Sequence, residues 1–221
     1  MLHTEDYDNV AHRTEGKIGL ELEFQRTDLS GNLSRTSHPF PESGSIVRDF
    51  GEAQLEINTS PSETPESVMK ELHELLRGVH HELRGRAELL WPFSNPPIIH
   101  SEKDIAIASF SSDKRPSYEY RRYLAKKYGK YQMTYSGIHF NYSFSERLLR
   151  HNARLEGVHT PDAFCSWRNR FYLELAEKVL FYSWTIVALL GASPLTDSSF
   201  FEAGQAGETV FSEVHPCDPA R

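Results

Sequence analysis

Three stretches of the chain alternate apolar and polar residues with the period of two that marks a half-buried strand. In Lys17–Arg26 (KIGLELEFQR), Ile18, Leu20, Leu22 and Phe24 fall on one face, and Lys17, Glu21, Glu23 and Gln25 on the other. In Ile46–Thr59 (IVRDFGEAQLEINT), Gln54, Glu56 and Asn58 alternate with Ala53, Leu55 and Ile57. In Tyr131–Phe144 (YQMTYSGIHFNYSF), Ile138, Phe140, Tyr142 and Phe144 oppose Gly137, His139, Asn141 and Ser143. Between them the period lengthens to that of a helix. Thr64-Pro65-Glu66 combines a capping hydroxyl, a proline suited to the first turn and an acid at the positive end of the dipole. Val68, Met69, Leu72, Leu75, Leu76, Val79 and Leu83 then form an apolar stripe. A second helix is predicted from Ser117 to Tyr128, stopping near Gly129. Thr160-Pro161-Asp162 repeats the start signal, and its helix is predicted to reach about Leu190 and end at Gly191, with or without a break.

Pro92, Pro96 and Pro97 predict an extended or irregular Trp91–Ile99, and Asp28–Asn32 and His38–Ser45 read as a turn and a loop. Residues 204–221 carry no strong period. There is no internal repeat and no low-complexity tract. Val179–Leu190 is the longest apolar stretch, too short to span a bilayer, and predicts a buried helix.

The strand pattern acquires chemical meaning from its polar face. Glu21 and Glu23 are same-face neighbours about 7 Å apart, from two rises of roughly 3.3 Å. Glutamate is not a favoured strand residue, and like charges on one face repel. With Asp49, Glu56 and His139 they make five candidate ligands. Carboxylates gathered at one place resist ionising unless a cation joins them, and hard oxygen donors favour magnesium or manganese. Each alone has a plainer reading: a solvent-facing acid, or a hydrogen-bonded histidine. Asp49 also has the opposite parity to Glu56, so a straight strand would separate them; Gly51 marks a bulge or the true strand start.

At 221 residues and 38% hydrophobic, the chain can bury a substantial core. A net charge of −7 argues against a broad nucleic-acid surface, despite small basic spots at Lys114–Arg115 and Arg121–Arg122. Cys165 and Cys217 have no metal-site spacing and read as free thiols. The opening MLHTEDYDNV lacks the apolar core of a secretory leader, so a cytoplasmic protein is expected. His73, His80 and His81 fall on the polar helix face, and His38-Pro39 in a loop. No Walker phosphate loop, Rossmann fingerprint, nucleophile elbow or H-E-x-x-H occurs.

The wording of five blocks resembles the glutamate–cysteine ligases, specifically the bacterial type and the ligase half of the bifunctional glutathione-synthesising enzyme. GLELEFQRTDLSGNLS at Gly19–Ser34 resembles the family's opening, and RDFGEAQLEINT at Arg48–Thr59 is similar to its D-F-x-E-x-x-L-E segment. ELLWPFSNPP at Glu88–Pro97 resembles W-P-x-S-x-P. Tyr118–Phe144 is similar to Y-R-x-x-L-x-x-R-Y-G followed by Q-x-x-S-G-x-H-x-N-F-S. LLGASPLTDSSF at Leu189–Phe200 resembles F-G-A-S-P. The loop near His38–Gly44 departs from the family wording.

The resemblance implies an α+β fold related to glutamine synthetase, mainly an antiparallel sheet forming a cupped active site with surrounding helices. It implies ATP and Mg2+ (or Mn2+) and the small-molecule substrates glutamate and cysteine, with no nucleic acid and no membrane; it leaves the oligomeric state open. Glu21, Glu23, Asp49, Glu56 and His139 fall at its metal- and nucleotide-linked positions. Phe50, Tyr120 and Leu124 fall where the family builds its cysteine pocket. Family members continue well past the last block, so residues 1–221 are expected to form the N-terminal part of the catalytic domain. Three activities stay open: glutamate–cysteine ligation, a non-catalytic remnant that binds metal or nucleotide, and a related ligase with another amine.

Overall fold

The computed structural model describes residues 2–42, 44–110 and 115–191. Lys114, Cys217, most of the Leu189–Phe200 block and the aperiodic 204–221 stretch lie outside these residues. The elements, in chain order, are α1 (Tyr7–His12), β1 (Gly16–Asp28), β2 (Ile46–Val47), β3 (Gln54–Asn58), α2 (Pro65–Arg84), β4 (Glu88–Trp91), α3 (Arg115–Tyr128), β5 (Ile138–Phe144), α4 (Glu146–Leu155) and α5 (Pro161–Leu190). The strands form one five-stranded sheet in the order β2-β3-β1-β4, with β5 also paired to β1. The β1–β3, β1–β4 and β2–β3 pairs are antiparallel. This is the mixed helix and antiparallel-sheet class that the sequence predicts.

The chain divides into two compact units. One comprises residues 20–59 and 71–139, with most of the sheet; the other comprises residues 1–19, 60–70 and 140–192. In the sheet unit, Leu20, Leu22 and Phe24 turn their face of β1 toward α2, where Leu72, Val79 and Leu83 are buried with Leu55 and Ile57. Each such side chain removed from water contributes about 1.5–3 kcal/mol. Met69, counted in the predicted stripe, is 42% exposed at the stripe's edge. A second cluster, Leu33, Phe50, Ala53, Ile99, Ile105 and Tyr131, is flanked by Leu124 and Ala125 of α3. The clean alternation of β1 ends at Gln25, Arg26 and Thr27, which are all buried; Gln25 pairs with both β3 and β4, and the Arg26 side chain is bonded to Thr36, Glu52 and Glu88. His38 lies in the predicted loop but is buried, and burial holds its imidazole down to about 4.

In the other unit, Leu149 and Ala153 of α4 meet Phe164, Trp167 and Phe171 of α5. Ser145 caps α4 by accepting from the Leu148 N–H, and Thr160 caps α5 by accepting from the Ala163 N–H. The short α1 and α4 were not in the predicted pattern; α4 presents Leu148, Leu149, Asn152 and Ala153 on one buried stripe. Asn152 accepts from the His3 N–H and from Asn9 Nδ2, tying the N-terminal turn to α4.

Two expectations need correction. Val179–Leu190 is helical but not buried: Leu180, Phe181 and Val187 are 72%, 72% and 69% exposed. No described element packs over that half of α5, so its apolar sequence meets solvent. Likewise the apolar face of β5 is only partly covered. Tyr142 and Phe144 are half-buried, whereas Ile138 and Phe140 are exposed. Cys165 is an exposed free thiol, as predicted.

Candidate metal centre

Strand register determines which acids meet. Glu23 of β1 stands directly across from Glu56 of β3, and Glu21 stands across from Asn58. The parity conflict at Asp49 disappears because β2 ends at Val47 and β3 does not begin until Gln54. The intervening chain turns, with the Gln54 N–H donating to the Gly51 carbonyl at 3.0 Å and Gly51 bridging to Ile107. The turn carries Asp49 to the same place as the strand glutamates. One carboxylate oxygen from each of Glu23, Asp49 and Glu56 lies within 4.8 Å of the others, and all three residues are half-buried.

His139 adjoins this triad. Its Nδ1 is 3.0 Å from Glu21 Oε2, and its Nε2 is 3.7 Å from Glu23 Oε1. The imidazole is more than half exposed, so it sits at the open side of the cluster. All five predicted ligands therefore occupy one neighbourhood. Glu23, Asp49 and Glu56 form its centre, and Glu21 joins through His139.

The electrostatics follow from crowding. Burial, reinforced by the Asp49 and Glu56 charges, holds the Glu23 carboxyl above its ordinary range, against the opposing bond from the Gly137 N–H. Burial also raises Asp49, opposed by Arg121, and raises Glu56, opposed by the Asn58 amide. The bond to Glu21 holds the His139 imidazolium above its ordinary value, with the Glu23 charge adding to it. Three acids that hold their protons unusually well, with oxygen atoms already converged, form a donor set suited to a divalent cation.

Three supporting residues were not among the predicted ligands. The Gly137 N–H donates to Glu23 Oε2 at 2.8 Å, and Asn58 Nδ2 donates to Glu56 Oε1 at 2.8 Å. A Cβ at Gly137 would stand 3.3 Å from His139 Nε2 and 3.7 Å from Glu23 Oε2, so glycine keeps that corner open. Arg121 donates from Nε to the Asp49 carbonyl and from Nη1 to the Ser117 carbonyl at 3.0 Å, with its guanidinium 4.6 Å from the centre of the Phe110 ring. Asn58 was legible as the same-face neighbour of Glu56. Gly137 and Arg121 act through long-range contacts that periodicity does not reveal.

The three residues expected at a thiol pocket are placed less uniformly. Phe50 is fully buried, and Leu124 packs against the same cluster. Tyr120, one turn before Leu124 on α3, is 60% exposed.

Comparison with known proteins gives a family match over residues 3–217 to the model described as glutamate-cysteine ligase. The chain is 38% identical over 195 residues to a glutamate–cysteine ligase of Clostridium acetobutylicum, covering 85% of this chain and 40% of that protein. It is 37% identical to a bifunctional glutathione biosynthesis protein of Listeria innocua, covering 84% of this chain and 24% of the relative. Among solved structures, a bifunctional glutathione synthetase from Pasteurella multocida superposes with a TM-score of 0.79 at 29% identity, over 93% of this chain and 27% of that one. A glutamate–cysteine ligase from Francisella tularensis, solved in complex with AMP, gives 0.71 at 28% identity, over 84% and 37%. The chain thus spans well under half the length of each of these proteins, and its match lies in their N-terminal portion.

Proposed function

The chain belongs to the glutamate–cysteine ligase family, and on that premise we propose that it carries the metal-binding half of a site for ATP-dependent ligation of the glutamate γ-carboxyl to the cysteine amine, the first step of glutathione synthesis. Residues 1–221 are, on this reading, the N-terminal part of such a catalytic domain. The observation that carries it is the convergence of Glu23 of β1, Glu56 of β3 and Asp49 of the intervening turn within 4.8 Å in a chain so related.

The donor set fits magnesium or manganese. It is all oxygen, it is anionic, and Arg121 and His139 only partly offset the effect of burial on its carboxyls. Glu23, Asp49 and Glu56 would hold the ion, with Glu21 and His139 beside it. When bound, a divalent cation neutralises phosphate charge and aligns donor and acceptor oxygens. The rest falls to the chain. The Gly137 N–H and the Asn58 amide fix the rotamers of Glu23 and Glu56, so the carboxylates need no reorganisation. His139, bridged between Glu21 and Glu23, keeps those two acids together despite their repulsion.

The chemistry asked of such a site is activation of a poor acyl donor. The glutamate γ-carboxylate takes the terminal phosphoryl group of ATP, ADP leaves, and the cysteine amine displaces phosphate from the γ-glutamyl phosphate. Water must be excluded at that stage. The apolar cluster of Phe50 and Leu124, with Tyr120 nearby on α3, would supply a partly apolar neighbourhood for a thiol side chain. The relative solved with AMP supports a nucleotide as the co-substrate.

A second reading is a half-site. On it, residues 1–221 bind metal and nucleotide without turnover. ADP release by the purified chain, assayed with ATP, Mg2+, glutamate and cysteine, separates these readings. Release that requires both amino acids supports ligation. Nucleotide binding without release supports the half-site, and release with a different amine points to a related ligase. Failure to bind either Mg2+ or ATP contradicts both readings.

A further inference from the structure

We infer, on the reading that Glu23, Asp49 and Glu56 hold a divalent cation, that Gln25 and Gln54 are positioning residues. They form a neutral amide pair beside the acids and fix the two segments that bring Asp49, the Gly137 N–H and His139 to the centre.

The sheet face that carries the acids continues past them. Residues 21, 23 and 25 of β1 share that face, and across from them on β3 stand Asn58, Glu56 and Gln54. Gln25–Gln54 is therefore the next pair along from Glu23–Glu56. The acids are half-buried, whereas Gln25 is 2% and Gln54 1% exposed. Burying two long polar side chains costs free energy unless each finds partners. The partners they find are backbone groups of the segments that complete the acid cluster.

Gln25 Nε2 donates to the Thr134 carbonyl at 3.0 Å in a buried bond. Gln54 Nε2 donates to the Tyr135 carbonyl at 3.5 Å, and its Oε1 accepts from the Gly51 N–H at 3.4 Å. Shortly after Tyr135 comes Gly137, whose N–H donates to Glu23 Oε2 and whose carbonyl accepts from the Glu23 N–H at 3.0 Å. His139 follows on β5. Just before Gly51 lies Asp49. The two amides thus hold both the segment that enters β5 and the turn between β2 and β3.

The residue type fits the role. An amide offers a donor to a carbonyl and an acceptor to an N–H without adding charge. Glutamate at either position would meet a carbonyl with a second acceptor, and it would add to the negative charge already gathered at Glu23, Asp49 and Glu56. Methionine at position 25 would fill similar volume and leave the Thr134 carbonyl without this donor. Groups that orient metal ligands in this way set affinity without touching the ion.

The test is calorimetric titration of the full chain with MgCl2, joined to amide hydrogen exchange of the metal-free protein. Gln25→Met should weaken Mg2+ affinity about tenfold. Gln54→Met should weaken it less, about threefold, because its bonds are longer. Without metal, Gln25→Met should speed exchange of the Gly137 amide at least about tenfold while the amides of α2 keep their wild-type rates. Leu72→Ala is the control, a core substitution on the opposite face of the sheet. It should lower the melting temperature and leave Mg2+ affinity unchanged. Wild-type affinity in Gln25→Met overturns the inference, and so does unchanged exchange at Gly137. An equal loss of affinity in Leu72→Ala also overturns it, because the effect would then be one of stability alone. If Gln25→Met does not fold, Gln54→Met decides by the same two readouts. A wild type that binds no Mg2+ contradicts the metal centre itself. Exchange at Gly137 then still decides the role of the amides: faster exchange in the variant supports it, and an unchanged rate overturns it.

Discussion

Two charged groups lie three residues apart on β1 and have opposite fates. Arg26 is fully buried, and its charge is closed within the protein. Its Nη1 is 2.6 Å from Glu88 Oε2, and its Nη2 donates to the Thr36 and Glu52 carbonyls at 2.9 Å. Burial pushes the Glu88 carboxyl up, but the hydroxyls of Ser34 and Thr36 and the Arg26 charge together bring it below its ordinary value. Glu23 is less completely closed, with the Gly137 N–H at 2.8 Å and His139 Nε2 at 3.7 Å. Its carboxylate faces Asp49 and Glu56, and the net effect is upward. The first cluster pairs opposite charges within the protein, though Arg26 Nε is left without a partner; the second gathers carboxylates whose excess negative charge an external cation would balance. A protein that merely needed stability would have no reason to gather acids at the second site. The unbalanced charge, rather than the acidity itself, is what singles out the second cluster as the proposed site.

The comparison can be broken most forcefully at its closed end. Arg26→Ala leaves Glu88 buried without its partner and should cost about 3–5 kcal/mol, read from urea unfolding. Glu23→Gln, by contrast, removes a repelling charge and should leave the metal-free protein as stable as wild type or more so. If the two substitutions cost alike, the distinction between the clusters fails.

Next in size is stabilisation by the cation. Mg2+ at 100 times its dissociation constant should add about 2.7 kcal/mol to wild type, seen as a raised melting temperature. It should add nothing measurable to Glu23→Gln, and Arg26→Lys should respond as wild type does. A smaller effect is expected from the supporting groups. Asn58→Ala or Gly137→Ala should weaken Mg2+ affinity about tenfold, through a released Glu56 rotamer or a crowded His139. Calorimetric titration of each variant checks this.

The smallest effect is on pH dependence, and its sign differs between the clusters. Glu23, Glu56 and Asp49 have folded-state values above their ordinary 4.5, 4.5 and 3.8. Between those values and the raised ones the folded state binds more protons, so stability falls as pH rises. Glu88 is depressed below 4.5, so its contribution is present above that value and is lost as pH falls through the folded value. Unfolding of the metal-free protein as a function of pH should show the first slope reduced in Glu56→Gln and the second reduced in Glu88→Gln.

Much of this was legible in the chain. Period two exposed β1 and β3, and the same-face placement of Glu21, Glu23 and Glu56 followed from it. The helix starts at Pro65 and Pro161 were readable from hydroxyl, proline and acid. The Arg26–Glu88 pair was not, because 62 residues separate its members and their approach depends on the β1–β4 register. Asp49 had the wrong parity on paper, and only the turn at residues 48–53 returns it to the cluster. The distal half of α5 misled for a different reason. An apolar run predicts enclosure but not by what, and no described element supplies the cover.

The central claim is that Glu23, Asp49 and Glu56 together hold a divalent cation, and isothermal titration of the purified chain with MgCl2 at pH 7 tests it most directly. Saturable binding in wild type that is lost in both Glu23→Gln and Glu56→Gln, with folding intact by circular dichroism, is the result expected. Binding of equal strength in all three proteins, or none in wild type, would contradict it.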